Sequence, residues 1–471
     1  MWKIASFFLT TVLALFAVVG PACGSEQAAT DIPSPVPTTT SVPPTSSPVP
    51  THTPLPSPTT PPTATPLPSA FPLPAAVPTS TVLPTPTPVP APGVTPVTTP
   101  GEPSPTPTVL AVLPTAPTPP DILGYVDAGQ IPAPAPLGLD GWINTETLDV
   151  EDFRGKIVLL DFWTYTCVNC IRTLPYLKDW HHKYADEGLL IIGVHTPEFE
   201  FEKLPENVRA ATADLGIEYP VAQDNDRVTF STYRVQAWPT KYIMDGTGFV
   251  RYYHRGEGSY ADTEKIIRFL LEEAGRDLSH IEPNSDPDPQ WLTGSRATDP
   301  EEFITRELYG GTRRNIDFGG AYIANEEYYD SAGEVREYTD PGERKNHFIF
   351  LQGHWLSESE NLRHARTTDD YQDYLGIKFY ANEVNAVLDV EPGSMYRFRI
   401  TMDGGPIPEQ SAGPDITYDA NGDSIVTVDT PRMYRLIRQQ EVSAHELLLM
   451  PKDENFSLFS FTFGAYPMDD G

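Results

Sequence analysis

Residues 157–163 read Ile-Val-Leu-Leu-Asp-Phe-Trp, and four positions further on comes Cys167-Val168-Asn169-Cys170. The apolar run shows no alternation, which suits a strand buried on both faces of a parallel sheet. From Cys167 to about Tyr184 the period changes to that of a helix, with Ile171, Leu174, Leu177 and Trp180 on one face. Two thiols therefore stand where a buried strand hands over to a helix. That junction calls for an α/β sheet, and two cysteines at this spacing have the geometry of a reversible dithiol/disulfide couple. The whole chain holds three cysteines, and these are two of them.

The flanking sequence fills in such a sheet. Asp140-Gly141-Trp142 and Leu148 to Phe153 are expected as lead-in strands or a hairpin, and Gly188 to His195 as a second buried strand. Helices are expected over Glu202 to Leu215, over Val228 to Tyr233, and over Thr263 to Ala274, with a short strand at Tyr219 to Ala222. Thr240 to Met244 and Phe249 to Tyr253 flank Asp245-Gly246-Thr247-Gly248, a strong hairpin signal. Residues 121–276 thus form one α/β domain. Residues 277–311 (through Glu282-Pro283-Asn284-Ser285-Asp286-Pro287) have linker composition. Residues 312–471 are expected to be all-β, a two-sheet sandwich, from alternation such as Ile377 to Ala381, Tyr396 to Ile400 and Phe456 to Phe461 between Gly- and Asn-rich turns.

The N-terminus is an address. Lys3 precedes an apolar stretch from Ile4 to Val19, followed by Gly20-Pro21-Ala22-Cys23. Residues 1–23 resemble a bacterial lipoprotein signal, which implies lipid attachment at Cys23; an uncleaved anchor, or cleavage without a lipid, is the alternative. Residues 24–120 hold most of the chain's 52 prolines, among threonine, serine, valine and alanine. Proline lacks the helical N–H, and so few large apolar side chains cannot offset ordering entropy, so a disordered, extended stalk is expected. Signal and stalk together point to an exported, extracytoplasmic protein anchored to the membrane. Nearly all of the net charge of −32 falls outside these segments. An excess of acid of that size argues against nucleic acid as a partner, which needs a basic footprint.

The chemistry follows from the residues. A thiol at a helix N-terminus meets the positive end of the helix dipole and free N–H donors, which favours the thiolate. Cys167 is therefore expected to attack a substrate disulfide and Cys170 to resolve the mixed disulfide. Asp161, inside the buried strand, is expected to have a raised pKa and to exchange a proton with Cys170. Zinc needs about four ligands, and His181 and His182 lie roughly 16 Å along the helix from Cys170, so no metal is expected. The redox-active disulfide itself is the only cofactor called for. A structural disulfide, and a thiol peroxidase, are the competing readings of the pair.

Asp161-Phe162-Trp163, Cys167, Cys170 and Pro175 stand at the spacings of the thioredoxin family's active-site strand and helix. Ala237-Trp238-Pro239-Thr240 resembles that family's cis-proline loop. The lead-in strands and the insertion before that loop are similar to the TlpA-like branch. Trp163 to Cys170, Gly193 to Phe199, and Phe459 to Gly464 resemble the soluble C-terminal part of DipZ-type proteins. The resemblance implies a thioredoxin fold followed by a carbohydrate-binding-like jelly roll. It also implies a cis Pro239 that presents the Trp238 backbone to an extended substrate. Trp163, Trp238, Thr240 and Glu198 are expected at the substrate, with Glu200 as an alternative to Glu198 and a plain acidic loop as the competing reading of both. Implied partners are disulfide-containing envelope proteins, with apocytochrome c as one example, a separate membrane electron donor, and a glycan stacked on Tyr328, Tyr329, Trp355, Tyr371 or Tyr374, for which core or edge packing is the competing reading. A binding protein whose sandwich recruits a glycan or protein, with the redox module secondary, is the alternative.

Overall fold

A computed structural model describes residues 118–284, 288 and 300–466. The signal, Cys23 and the stalk lie outside them. Among the described residues, seven strands form one mixed sheet: β1 (Ile131–Pro132), β2 (Asp140–Ile143), β3 (Ile157–Trp163), β4 (Leu189–His195), β5 (Val221–Gln223), β6 (Thr240–Met244) and β7 (Phe249–Arg255). Their order is β1-β7-β6-β3-β4-β5-β2, with β3 parallel to β4 and antiparallel to β6. Four helices connect them: α1 (Val168–Tyr184), α2 (Pro205–Asp214), α3 (Val228–Thr232) and α4 (Tyr260–Glu273).

All seven residues of β3 are buried. The two-residue period divides them between two apolar clusters. Ile157, Leu159 and Trp163 pack with Leu174, Leu177 and Trp180 of α1 and with Ile266, Ile267 and Leu270 of α4. Val158, Leu160 and Phe162 pack with Phe230, Tyr233 and Val235 on the other face. Asp161 shares the parity of the first set, so it lies beneath α1. The lead-in differs from expectation. Only Asp140–Ile143 is a strand, at the sheet edge beside β5, and Val150–Phe153 is a 3-10 turn. The turn wins because the Asp152 carboxylate accepts the Asp149 N–H at 2.8 Å, a local bond that competes with strand pairing.

The second domain is all-β. Its strands are β8 (Leu308–Tyr309), β9 (Val335–Tyr338), β10 (Ile349–Ser357), β11 (Leu362–His364), β12 (Tyr374–Asp389), β13 (Tyr396–Met402), β14 (Ile416–Tyr418), β15 (Ser424–Val428), β16 (Arg432–Pro451) and β17 (Ser457–Gly464). They make one sheet that bends over itself. The first half of β12 pairs with β10 and the second half with β17, while β16 follows β12 along both halves. The concave faces enclose a core that includes Tyr328 and Trp355, both fully buried, so neither ring is free to stack on a sugar. Their polar atoms point inward too, the Tyr328 hydroxyl to Gly310 O at 2.6 Å and Trp355 Nε1 to Gln352 O at 2.9 Å. Tyr371 is held between Arg399 and Lys452, and the Tyr329 and Tyr374 hydroxyls donate to Ile323 O and Asp340.

Within 277–311 the chain is held at both ends. Leu278 is buried and Arg268 donates to Ile281 O at 2.8 Å, whereas Leu308 and Tyr309 pair with β17. The two domains share an apolar seam. Phe459 of β17 sits edge-on to Phe199 and Phe201, with ring centroids 5.0 and 4.9 Å away. Tyr309, Val387 and Met433 join the same cluster. Phe459→Leu, which removes both edge contacts, is expected to lower stability by about 1–2 kcal/mol. An unchanged unfolding midpoint would show that the seam does not contribute.

Candidate active site

Cys167 caps α1, and its Sγ accepts the Cys170 N–H at 3.2 Å. This is the contact that an anionic sulfur at a helix N-terminus would use. Cys167 is half-buried, Cys170 is wholly buried behind it, and both are free thiols. Burial, and then the neighbouring Cys167 sulfur, push the Cys170 thiol well above its ordinary range. One sulfur is presented and the other is withheld.

Asp161 is fully buried, and neither carboxylate oxygen meets a donor among the described residues. Burial raises its pKa to about 6, against the pull of Lys241. Lys241 escaped the sequence reading. It pairs directly with Asp161 across β3 and β6, is itself fully buried, and lies 5.5 Å from the Tyr260 ring centroid. Burial lowers the Lys241 pKa, and the negative charge of Asp161 opposes that. No ion pair within 4 Å joins them among the described residues, since Lys241 Nζ donates to Gly256 O at 3.5 Å, and burial outweighs their longer-range attraction. Lys241→Met should raise the Asp161 pKa above its present value. The pH at which an Asp161-dependent step switches on would then move upward, as a pH–rate profile would read. A profile left in place would mean that Lys241 does not act on Asp161.

The Trp238–Pro239 peptide bond is cis. Thr240 pairs with Phe162, which sets Pro239 level with the end of β3, on the sheet edge where α1 begins. Thr240 is buried, and its hydroxyl donates to Ala237 O at 2.7 Å, so it closes the proline loop instead of facing a substrate. Trp238 is half-buried, packed 5.2 Å from Phe230 and 4.9 Å from the Arg227 guanidinium.

Trp163 departs from expectation. It is 0% exposed, edge-on to His195 at 5.4 Å, because its parity turns it under α1 with Asp161. Glu198 departs as well. Its carboxylate pairs with Arg314 and accepts the Tyr309 hydroxyl at 3.1 Å, so the second domain occupies it. His195 ends β4 opposite Trp163, and burial lowers its pKa to about 3, which leaves the ring neutral.

Glu202 is a second group that sequence did not single out. Fully buried, it accepts the Thr166 hydroxyl and the Glu198 N–H at 2.5 Å each, and the Phe199 N–H at 3.0 Å. Burial raises its pKa to about 7. It ties the residue before Cys167 to the loop that meets the second domain. The available signal was the Glu-Phe alternation of 198–202, which cannot say which acid turns inward.

The fold, the capped dithiol and the cis-proline at the same sheet edge define the thioredoxin class. Residues 134–253 match the AhpC/TSA family, and residues 305–464 match the family described as thioredoxin-like C-terminal domain. Both folded stretches of the chain are thus similar to thioredoxin-like families. It is 35% identical over 335 residues to protein DipZ of Mycobacterium tuberculosis, covering 70% of this chain and 43% of DipZ. The chain thus spans less than half of that relative. It is also 27% identical over 142 residues to the thiol-disulfide oxidoreductase YkuV of Bacillus subtilis, covering 30% of this chain and 95% of YkuV. A solved thiol-disulfide isomerase from Corynebacterium glutamicum is 27% identical, covers 30% of this chain and 96% of its own, and has a TM-score of 0.28.

Proposed function

We propose that this chain is a thiol–disulfide oxidoreductase that reduces disulfides of proteins outside the cytoplasm through Cys167 and Cys170. One observation carries the reading: a half-exposed sulfur capping a helix, a wholly buried partner behind it, and a buried carboxylate beneath both. The relatives named for this activity support it.

In the first step the Cys167 thiolate attacks one sulfur of the substrate disulfide. A Cys167–substrate bond forms, the substrate S–S bond breaks, and the departing thiolate takes up a proton from solvent. Cys170 then gives its proton to Asp161 and attacks the Cys167 sulfur. The Cys167–Cys170 disulfide closes and the second substrate thiolate leaves, so two electrons have passed from the dithiol to the substrate. A reduced dithiol on another polypeptide restores the starting state. Attachment through Cys23, a stalk in an envelope layer, and substrates such as apocytochrome c complete the proposal, and they rest on the sequence.

Thiol peroxidase activity is the reading that the AhpC/TSA match would favour. Against it, Thr164 is buried with its hydroxyl 3.3 Å from His195 Nε2, turned inward and not toward a peroxide at Cys167. The test is reduction of insulin and of a short peptide–glutathione mixed disulfide by the full chain with a chemical reductant. Turnover above the reductant alone is expected for the peptide. A folded chain that accelerates neither would instead leave a binding protein.

A further inference from the structure

The second domain meets the dithiol helix itself. Arg172, two residues past Cys170, donates from Nη2 to Glu383 Oε2 of β12 at 2.6 Å. Its guanidinium lies 4.8 Å from the centroid of the Tyr466 ring, just beyond the end of β17, and 3.8 Å from Glu257. The Tyr466 hydroxyl donates to Glu257 at 2.5 Å, and its carbonyl accepts the Asn382 side chain at 2.7 Å. The contact at Gly464 is close: a Cβ there would lie 2.5 Å from Arg172 Nη2.

The same side of the helix is sealed by apolar contact. Val168 stands between the two cysteines on the first turn of α1, a position that a helix packed on its sheet through Leu174, Leu177 and Trp180 would otherwise show to solvent. It is 6% exposed and shares its cluster with Val387, Met433 and Phe459 of the second domain. The contacts of that domain run along α1, through Glu198 to Phe201, and to Glu257. Trp238, half-buried, packs on Phe230 and Arg227 and also against the cluster that α1 shares with the second domain, and Ala237 beside it is half-buried.

We propose that the second domain is a fixed wall on one flank of the dithiol, so that a disulfide is admitted only along the Ala237–Trp238 flank. Such a site selects disulfides in extended, unstructured polypeptide over disulfides set in a folded protein surface. A folded surface would meet the wall before its sulfur could come into line with Cys167, whereas an extended segment needs only the width of one strand. This rests on the dithiol function proposed above.

The test compares two substrates of the full chain: an unstructured peptide–glutathione mixed disulfide, and insulin, whose disulfides lie in a folded surface. The unaltered chain should reduce the peptide faster. Glu383→Arg sets two guanidinium groups against each other, and should raise the insulin rate relative to the peptide rate several-fold. Tyr466→Ala should move the ratio the same way, and the exchange Arg172→Glu with Glu383→Arg should restore it. An equal change for both substrates would mean that Arg172 acts on the sulfur charge alone, and it would overturn the wall. So would an unchanged ratio in folded Glu383→Arg and Tyr466→Ala chains. Failure of the unaltered chain on the peptide would instead defeat the dithiol function itself.

Discussion

Cys167→Ser should reduce disulfide turnover to the level of the reductant alone, while Cys170→Ser should keep the first attack and lose the second. The asymmetry follows from burial. Cys167 is half-exposed and held at the helix cap, so it alone can reach a substrate sulfur. Cys170 is wholly buried and can reach only the Cys167 sulfur. Cys170→Ser should therefore accumulate mixed disulfides in cells, seen as reductant-sensitive adducts on non-reducing gels, and Cys167→Ser should accumulate none. Equal trapping by both variants would overturn the division of roles.

Asp161→Asn should have two opposed effects. The carboxyl has its pKa raised from 3.8 to about 6, chiefly by burial. Between those values the folded chain keeps a proton that the unfolded chain has shed. Stability therefore falls as pH rises through roughly 4 to 6, and stays at the lower level above that window. At about 1.4 kcal/mol per pKa unit the penalty above pH 6 is on the order of 3 kcal/mol. Asparagine removes it, less whatever Lys241 loses with its opposite charge. The variant should be more stable by about 1–3 kcal/mol at pH 8 and unchanged near pH 4, as denaturant unfolding would read. Turnover should fall about 100-fold near neutral pH, since Cys170 loses its proton acceptor. A variant less stable at pH 8, with unchanged turnover, would remove Asp161 from the mechanism.

Much of the α/β domain was legible because its signals are local. The continuous apolar run at 157–163 and the helical period after Cys167 sit at consecutive positions, and the hairpin turn at 245–248 announces itself. The cis bond at Trp238–Pro239 was legible only through family resemblance. Lys241 was missed because its meaning comes from register. In sequence it is one lysine in an apolar strand, and only the pairing of β6 with β3 sets it against Asp161. Trp163 was misjudged for a related reason, since the parity that turns it inward is fixed by which face α1 covers. Glu198, Tyr328 and Trp355 depend on contacts more than 30 residues away in the chain or on the closure of a bent sheet. No local period carries that information, so sequence alone could not separate a substrate contact from a plain acidic loop at Glu198, or sugar-stacking rings from core packing at Tyr328 and Trp355.

Cys167 and Cys170 are expected to act as one two-electron couple. Equilibrating the full chain across a series of glutathione redox buffers and counting free thiols at each step tests it most directly. The two thiols are expected to disappear together along a single two-electron curve, ending in an intramolecular disulfide without bound glutathione. Stable glutathione on Cys167 beside a Cys170 that stays reduced across the series would contradict it.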